Sequence, residues 1–92
     1  MNICNLHFIE KKQFNSIFGL QIRLNRERKN MTQAELSALM NINFQNISSY
    51  ERGQRCPSIY WVTKLCQALE VDPNLFLKEF YNNTLLNSNT KI

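Results

Sequence analysis

The chain has 92 residues, 43% hydrophobic and 20% charged, with two Gly, two Pro and three Cys. That length supports one domain around a single core, and the scarcity of turn formers argues against a strand-rich fold, so helices are expected. Eleven Lys and Arg against seven Asp and Glu leave a net charge of +4, which suits a polyanionic partner without requiring one.

The opening "MNICNLHFIEKK" has neither a basic n-region nor a long apolar run. It therefore reads as neither a signal peptide nor a membrane span, and the cytoplasm is the expected compartment. Cys4, Cys56 and Cys66 are odd in number, contain no CxxC pair, and have only His7 nearby. No disulfide framework, metal site or cofactor is expected. Cys66 sits among Leu65, Ala68 and Leu69, as a small buried apolar residue would.

From Phe14 to Lys29, Phe14, Ile17, Phe18, Ile22 and Leu24 approximate three-four spacing, and Arg23, Arg26, Arg28 and Lys29 gather toward the end. This predicts a first amphipathic helix with cations where the macrodipole favours them. Thr32 and Glu35 form a capping-box signature that opens a second helix, running to about Met40 with Leu36 and Met40 inward. "NIN" interrupts it: Asn41 tolerates a left-handed backbone and Asn43 can cap the next helix. That third helix, about Phe44 to Arg52, has only Ile47 and Tyr50 at core spacing. Phe44, Gln45, Ser48, Ser49 and Arg52 must share the opposite face. Gly53 stops it. Ser58 can cap a fourth helix with Ile59, Val62, Leu65, Cys66 and Leu69 as its buried stripe, which leaves Tyr60 and Trp61 at outward positions. Asp72-Pro73 opens a fifth, "NLFLKEFY". Residues 1–13 form an N-terminal extension, 14–82 the domain, and 83–92 a polar tail expected to fray.

Two short helices joined by a tight turn, the second polar on its outward face, have the geometry that inserts a recognition helix into the major groove. Amides and hydroxyls pack poorly but can donate to and accept from base edges. The alternative is a solvated helix in a small bundle.

"R" at 26, "MTQAEL" at 31–36, "ISSYERG" at 47–53, "PS" at 57–58 and "KLCQALEVDPNLF" at 64–76 resemble the phage-repressor-like helix-turn-helix family, also called the xenobiotic-response-element type. The resemblance covers about 55 of the 92 residues. It implies an all-α, compact five-helix domain that binds double-stranded DNA as a homodimer on a two-fold symmetric operator. It also implies that Phe44, Gln45 and Ser49 contact bases, with Asn43, Asn46 and Ser48 as neighbours. Gln33 would touch phosphate and buttress the base-reading side chains, and Arg52, Gln54 and Arg55 would lie along the backbone. Glu51 and Arg26 would form a scaffold ion pair. Asn41 and Glu70 stand where the family usually has glycine. Phe44 puts an aromatic where polar residues are frequent, to meet a thymine methyl or to pack on its own scaffold.

The fifth helix has apolar residues to spare: Leu77 and Tyr81 point away from the face of Leu75, Phe76 and Phe80, which suggests a dimer interface that Tyr60 and Trp61 could join. The leading reading is a small stand-alone transcriptional regulator, repressor or autoregulator, as in phage repressors and restriction-modification controller proteins. The alternative is an antitoxin that binds a partner toxin and its own promoter. An enzyme is not expected, because the sequence has no Ser-His-Asp, Cys-His or clustered-carboxylate arrangement.

Overall fold

The computed structural model describes residues 8–89, with side chains as far as residue 86, and contains five helices and no strand among them. They are α1 (Lys11–Arg28), α2 (Gln33–Met40), α3 (Phe44–Glu51), α4 (Ile59–Leu69) and α5 (Pro73–Asn89). Cys4 and His7 lie outside the described residues. None of the described helices is long and apolar enough to cross a membrane.

Helix α1 begins three residues before Phe14, where Phe14 N donates to Glu10 O at 2.9 Å. It buries Phe18 and Ile22, while Phe14 and Ile17 pack against the core from its edge. Leu24 departs from the expected stripe and is exposed. The inward positions near it hold amides instead: Gln21 Nε2 donates to Phe76 O at 2.7 Å, and Asn25 Nδ2 donates to Gln21 O at 2.8 Å. The Gln21 bond ties α1 to α5, while the Gln21 amide oxygen is buried with no hydrogen-bond partner among the described residues, a cost that the tie must offset.

The capping box at the start of α2 is complete, with Glu35 N donating to Thr32 Oγ1 at 3.0 Å and Thr32 N to Glu35 Oε1 at 2.8 Å. Leu36 and Met40 are buried, α2 packs on α3 and α4, and α1 packs on α3 and α5. Phe18 stands at the centre. Its ring meets Phe76 at 5.9 Å, Phe80 at 5.7 Å and Trp61 at 6.3 Å, all edge to face. Such contacts each add about 0.5–1.5 kcal/mol beyond burial, so one residue of α1 fastens both α4 and α5.

Ser58 caps α4 by accepting from Trp61 N at 3.1 Å, but the helix is rotated from the expected register. Ile59 is exposed and Trp61 is buried. The two residues flank the stripe of Val62, Leu65, Cys66 and Leu69 on opposite sides, and only the Trp61 side meets aromatic partners, Tyr50 and Phe18. Burial pushes the Cys66 thiol above its ordinary pKa, with Asp72 adding to the effect, so this thiol stays protonated.

Asp72 caps α5, its Oδ1 accepting from Asn74 N at 2.9 Å. The helix then continues past residue 82 to Asn89, through the stretch the sequence suggested would fray. Thr84 is buried one turn beyond Phe80 and two beyond Phe76, and its hydroxyl donates to Tyr81 O at 2.7 Å. The 3.6-residue period therefore extends the core face of α5 by a further turn.

Candidate nucleic-acid interface

The turn between α2 and α3 is built by two asparagines. Asn41 takes the left-handed conformation, φ 56° and ψ 46°, and its N–H returns to Ala38 O while Ile42 N returns to Ser37 O. This stops α2 within one residue and drops Ile42 against the core. Asn43 is then extended, and its Oδ1 accepts from Gln45 N at 3.0 Å, which starts α3.

Helix α3 buries Ile47 and Tyr50. Helical spacing turns Gln45, Ser48, Ser49 and Arg52 outward, with Phe44 and Asn46 on the two flanks. Asn43, Gln45, Arg52, Gln54 and Arg55 are exposed, whereas Asn46, Ser48 and Ser49 are half-buried. Phe44 is 47% exposed and lines a shallow depression together with Met31, Thr32, Gln33 and Ala34 at the start of α2.

A hydrogen-bonded knot behind the face sets the angle between α1, α2 and α3. Arg26 donates to Glu51 twice, Nε to Oε2 at 2.6 Å and Nη2 to Oε1 at 3.0 Å, and Arg26 Nη1 donates to Met31 O at 2.8 Å. Gln33 Nε2 donates to the same Glu51 Oε1 at 3.0 Å. The two charged side chains are only 11% and 5% exposed. The hydrogen bond to Glu51 raises the Arg26 pKa more than burial lowers it, so the guanidinium is charged throughout the working pH range. Gln33 is thereby half-buried with its amide nitrogen on Glu51, which is not among the residues expected to read bases.

Two arginines fold back over the polar face. Arg52 Nη1 donates to Ser48 Oγ and its Nη2 to Gln54 Oε1 at 3.2 Å, and Arg55 Nη1 donates to Asn46 Oδ1 at 2.9 Å. Arg55 also lies over the Tyr50 ring, 5.9 Å from its centroid. The spacing of α3 carried no signal for that contact, since it placed Tyr50 wholly in the core. Among the described residues no group of three or more His, Cys, Asp or Glu is placed to hold a metal. The surface can offer amide and hydroxyl groups along one short helix, with guanidinium groups at its C-terminal cap and in the loop that follows.

On α5, Leu77 is 40% and Tyr81 61% exposed, and Leu85 extends the row by one more turn. Tyr60 is exposed, while Trp61 is withdrawn into the core.

Known proteins share this fold. A restriction-modification controller protein, C.AhdI from Aeromonas hydrophila, superposes with a TM-score of 0.64 at 31% identity, over 67% of this chain and 94% of that one. The controller protein C.Esp1396I, solved as a tetramer with its natural 35 base-pair operator, gives 0.72 at 28% identity over 78% and 95%. The regulator ClgR of Corynebacterium glutamicum, at 23% identity and a TM-score of 0.76, has the same fold. An uncharacterized HTH-type transcriptional regulator of Sinorhizobium fredii, y4aM, is 32% identical over 66 residues, which are 72% of this chain. The chain spans slightly under half the length of the curated relatives it matches, 46% for y4aM. Residues 22–76 match the family described as helix-turn-helix, and because that stretch is more than half of the chain, the protein belongs to the helix-turn-helix family.

Proposed function

We propose that the protein is a sequence-specific regulator of transcription that binds double-stranded DNA as a homodimer on a two-fold symmetric operator, as a repressor or autoregulator in the cytoplasm. The observation that carries this reading is the outward face of α3. It has polar groups at Gln45, Ser48 and Ser49, and it is held rigidly from behind by Arg26, Gln33 and Glu51. A face used only for solvation has no need of so firm a mount, whereas base readout loses affinity when its side chains are misplaced.

Each residue then has a role. Gln45 offers the paired donor and acceptor that match adenine N6 and N7, and Ser49, Ser48, Asn43 and Asn46 complete the polar face. The half-exposed ring of Phe44 suits a thymine methyl. Arg52, Gln54 and Arg55 border the face where the phosphate backbone would run, with Gln33 beside it at the start of α2. The row of Leu77, Tyr81 and Leu85 supplies a self-complementary apolar face for the dimer, which sets two recognition helices about 34 Å apart, one turn of duplex. That C.Esp1396I, 28% identical to this chain, was solved as a tetramer in complex with its operator supports an oligomeric, operator-bound form here.

No observation favours the antitoxin reading over regulation. Footprinting on the DNA upstream of the protein's own gene tests the proposal. A protected site with two half-sites centred about 10 base pairs apart is expected; a chain that protects no sequence over random DNA is not a sequence-specific regulator.

A further inference from the structure

The Tyr50 ring has two partners. The Trp61 indole stacks on it, with centroids 3.8 Å apart and planes 26° from parallel. The Arg55 guanidinium lies over the same ring at 5.9 Å and also donates to Asn46 Oδ1 at 2.9 Å. The Tyr50 ring is thus shared between the indole, in close stacking contact, and the more distant cation. Trp61 is itself held edge-on by Phe18 at 6.3 Å, so the row begins in the core, passes through α4 and α3, and ends on a charge in the loop beside the recognition helix.

Each member needs the one behind it. An arginine free in solvent must give up rotamer freedom when it meets a phosphate, whereas one already clamped has little left to lose. The clamp depends on the orientation of the Tyr50 ring, because attraction to a π face falls off when the cation slides toward the edge. The ring's orientation depends in turn on the flat surface against which it lies. Trp61 provides that surface from a buried position, 8% exposed, where it can touch neither DNA nor a second subunit.

We propose that Trp61 is a positioning residue for DNA binding: through Tyr50 it holds the Arg55 guanidinium ready to meet a phosphate oxygen. This rests on the DNA-binding reading above. Phosphate contacts are independent of sequence, so the test needs no knowledge of the operator.

The full chain is titrated with a random-sequence duplex over a range of KCl concentrations, comparing Trp61→Leu and Trp61→Phe, each with and without Arg55→Gln. Arg55→Gln should weaken binding and lower the salt slope by about 1. Trp61→Leu should weaken binding about two- to fivefold when Arg55 is present and add nothing when Arg55 is already Gln. Trp61→Phe, which keeps a ring against Tyr50, should restore most of the loss. Equal losses with and without Arg55, or a salt slope that ignores Arg55→Gln, overturns the proposal. Should Trp61→Leu fail to fold in a thermal melt, the Arg55 Nε–Hε resonance decides. It should be ring-current shifted in the wild type, stay so in Trp61→Phe, and move toward its random-coil position in Trp61→Met, which keeps apolar bulk but no ring; a random-coil position in the wild type, or a shift that Trp61→Met leaves unchanged, overturns the proposal as well. Failure of the wild type to bind any duplex removes the DNA-binding reading itself, whereas binding without this coupling removes only the role of Trp61.

Discussion

Gly19 of α1 lies directly against the carbonyl of Tyr50 at the end of α3: a Cβ at Gly19 would stand 2.4 Å from Tyr50 O and 2.6 Å from Glu51 O. Both obstacles are backbone, so neither can swing aside. In a helix interior, alanine should gain roughly 0.5–1 kcal/mol over glycine from propensity alone. The steric term opposes that gain and exceeds it, since overpacking costs about 1–3 kcal/mol even where side chains can move. Gly19→Ala is therefore expected to lower the melting temperature and to push α3 away from α1. An unchanged or raised melting temperature would mean that the two helices are not in contact there.

The Arg26–Glu51 pair gives a second prediction, with an internal control. Removing Glu51 leaves a charged guanidinium at an 11%-exposed position and also strips Gln33 of its acceptor. Glu51→Ala should cost about 3 kcal/mol in urea unfolding, the lower end of what breaking a buried pair costs. Glu27→Ala breaks the Arg23–Glu27 pair, which is half-exposed on both sides, and should change stability little. Comparable effects from the two substitutions would show that the knot behind α3 adds no rigidity.

Glu70 ends α4 with φ 55° and ψ 45°, in the left-handed region, where a Cβ crowds the carbonyl oxygen. Glu70→Gly removes a cost of about 1–2 kcal/mol but adds unfolded-state entropy, for a net gain of about 0.5–1 kcal/mol. Asn41 shares the conformation but tolerates it better, so Asn41→Gly should gain less. Urea midpoints for the two variants check the order, and a loss of stability in Glu70→Gly would place the helix end elsewhere.

Most of this geometry could be read from the residues, because caps and turns are local chemistry. Thr32 with Glu35, Asn41, Asn43, Ser58 and Asp72 each act on backbone groups within a few residues, so their placement needed no knowledge of the rest of the chain. The features that stayed hidden depend on neighbours far along the sequence. Ile59 and Trp61 are equally plausible flanks of one stripe, and the choice falls to Trp61 only because Tyr50 and Phe18 stand on its side. "NTLLNSN" looks too polar for a helix, yet Thr84 continues the i, i+4 row of Phe76 and Phe80, and its hydroxyl is satisfied by Tyr81 O. The close approach at Gly19 left no trace in the pattern of its own helix.

The exposed row on α5 leads to a prediction about assembly. Leu77→Glu combined with Tyr81→Ala puts a charge into the apolar face and removes its largest ring, so sedimentation should show a shift from dimer to monomer. Because linking two half-site contacts raises apparent affinity without new contacts, operator affinity should fall as well, although neither residue is near α3. A doubly substituted protein that stays dimeric would move the interface off α5.

Base readout by the outward face of α3 is tested most directly by selection from a pool of random duplexes. The wild-type chain should enrich a motif with two-fold symmetry. Gln45→Ala should lose preference at one position in each half-site, worth about 1–3 kcal/mol of discrimination, while its affinity for unselected DNA is nearly unchanged. If the wild type enriches no motif, or if Gln45→Ala enriches the same motif as strongly, the face of α3 does not read bases.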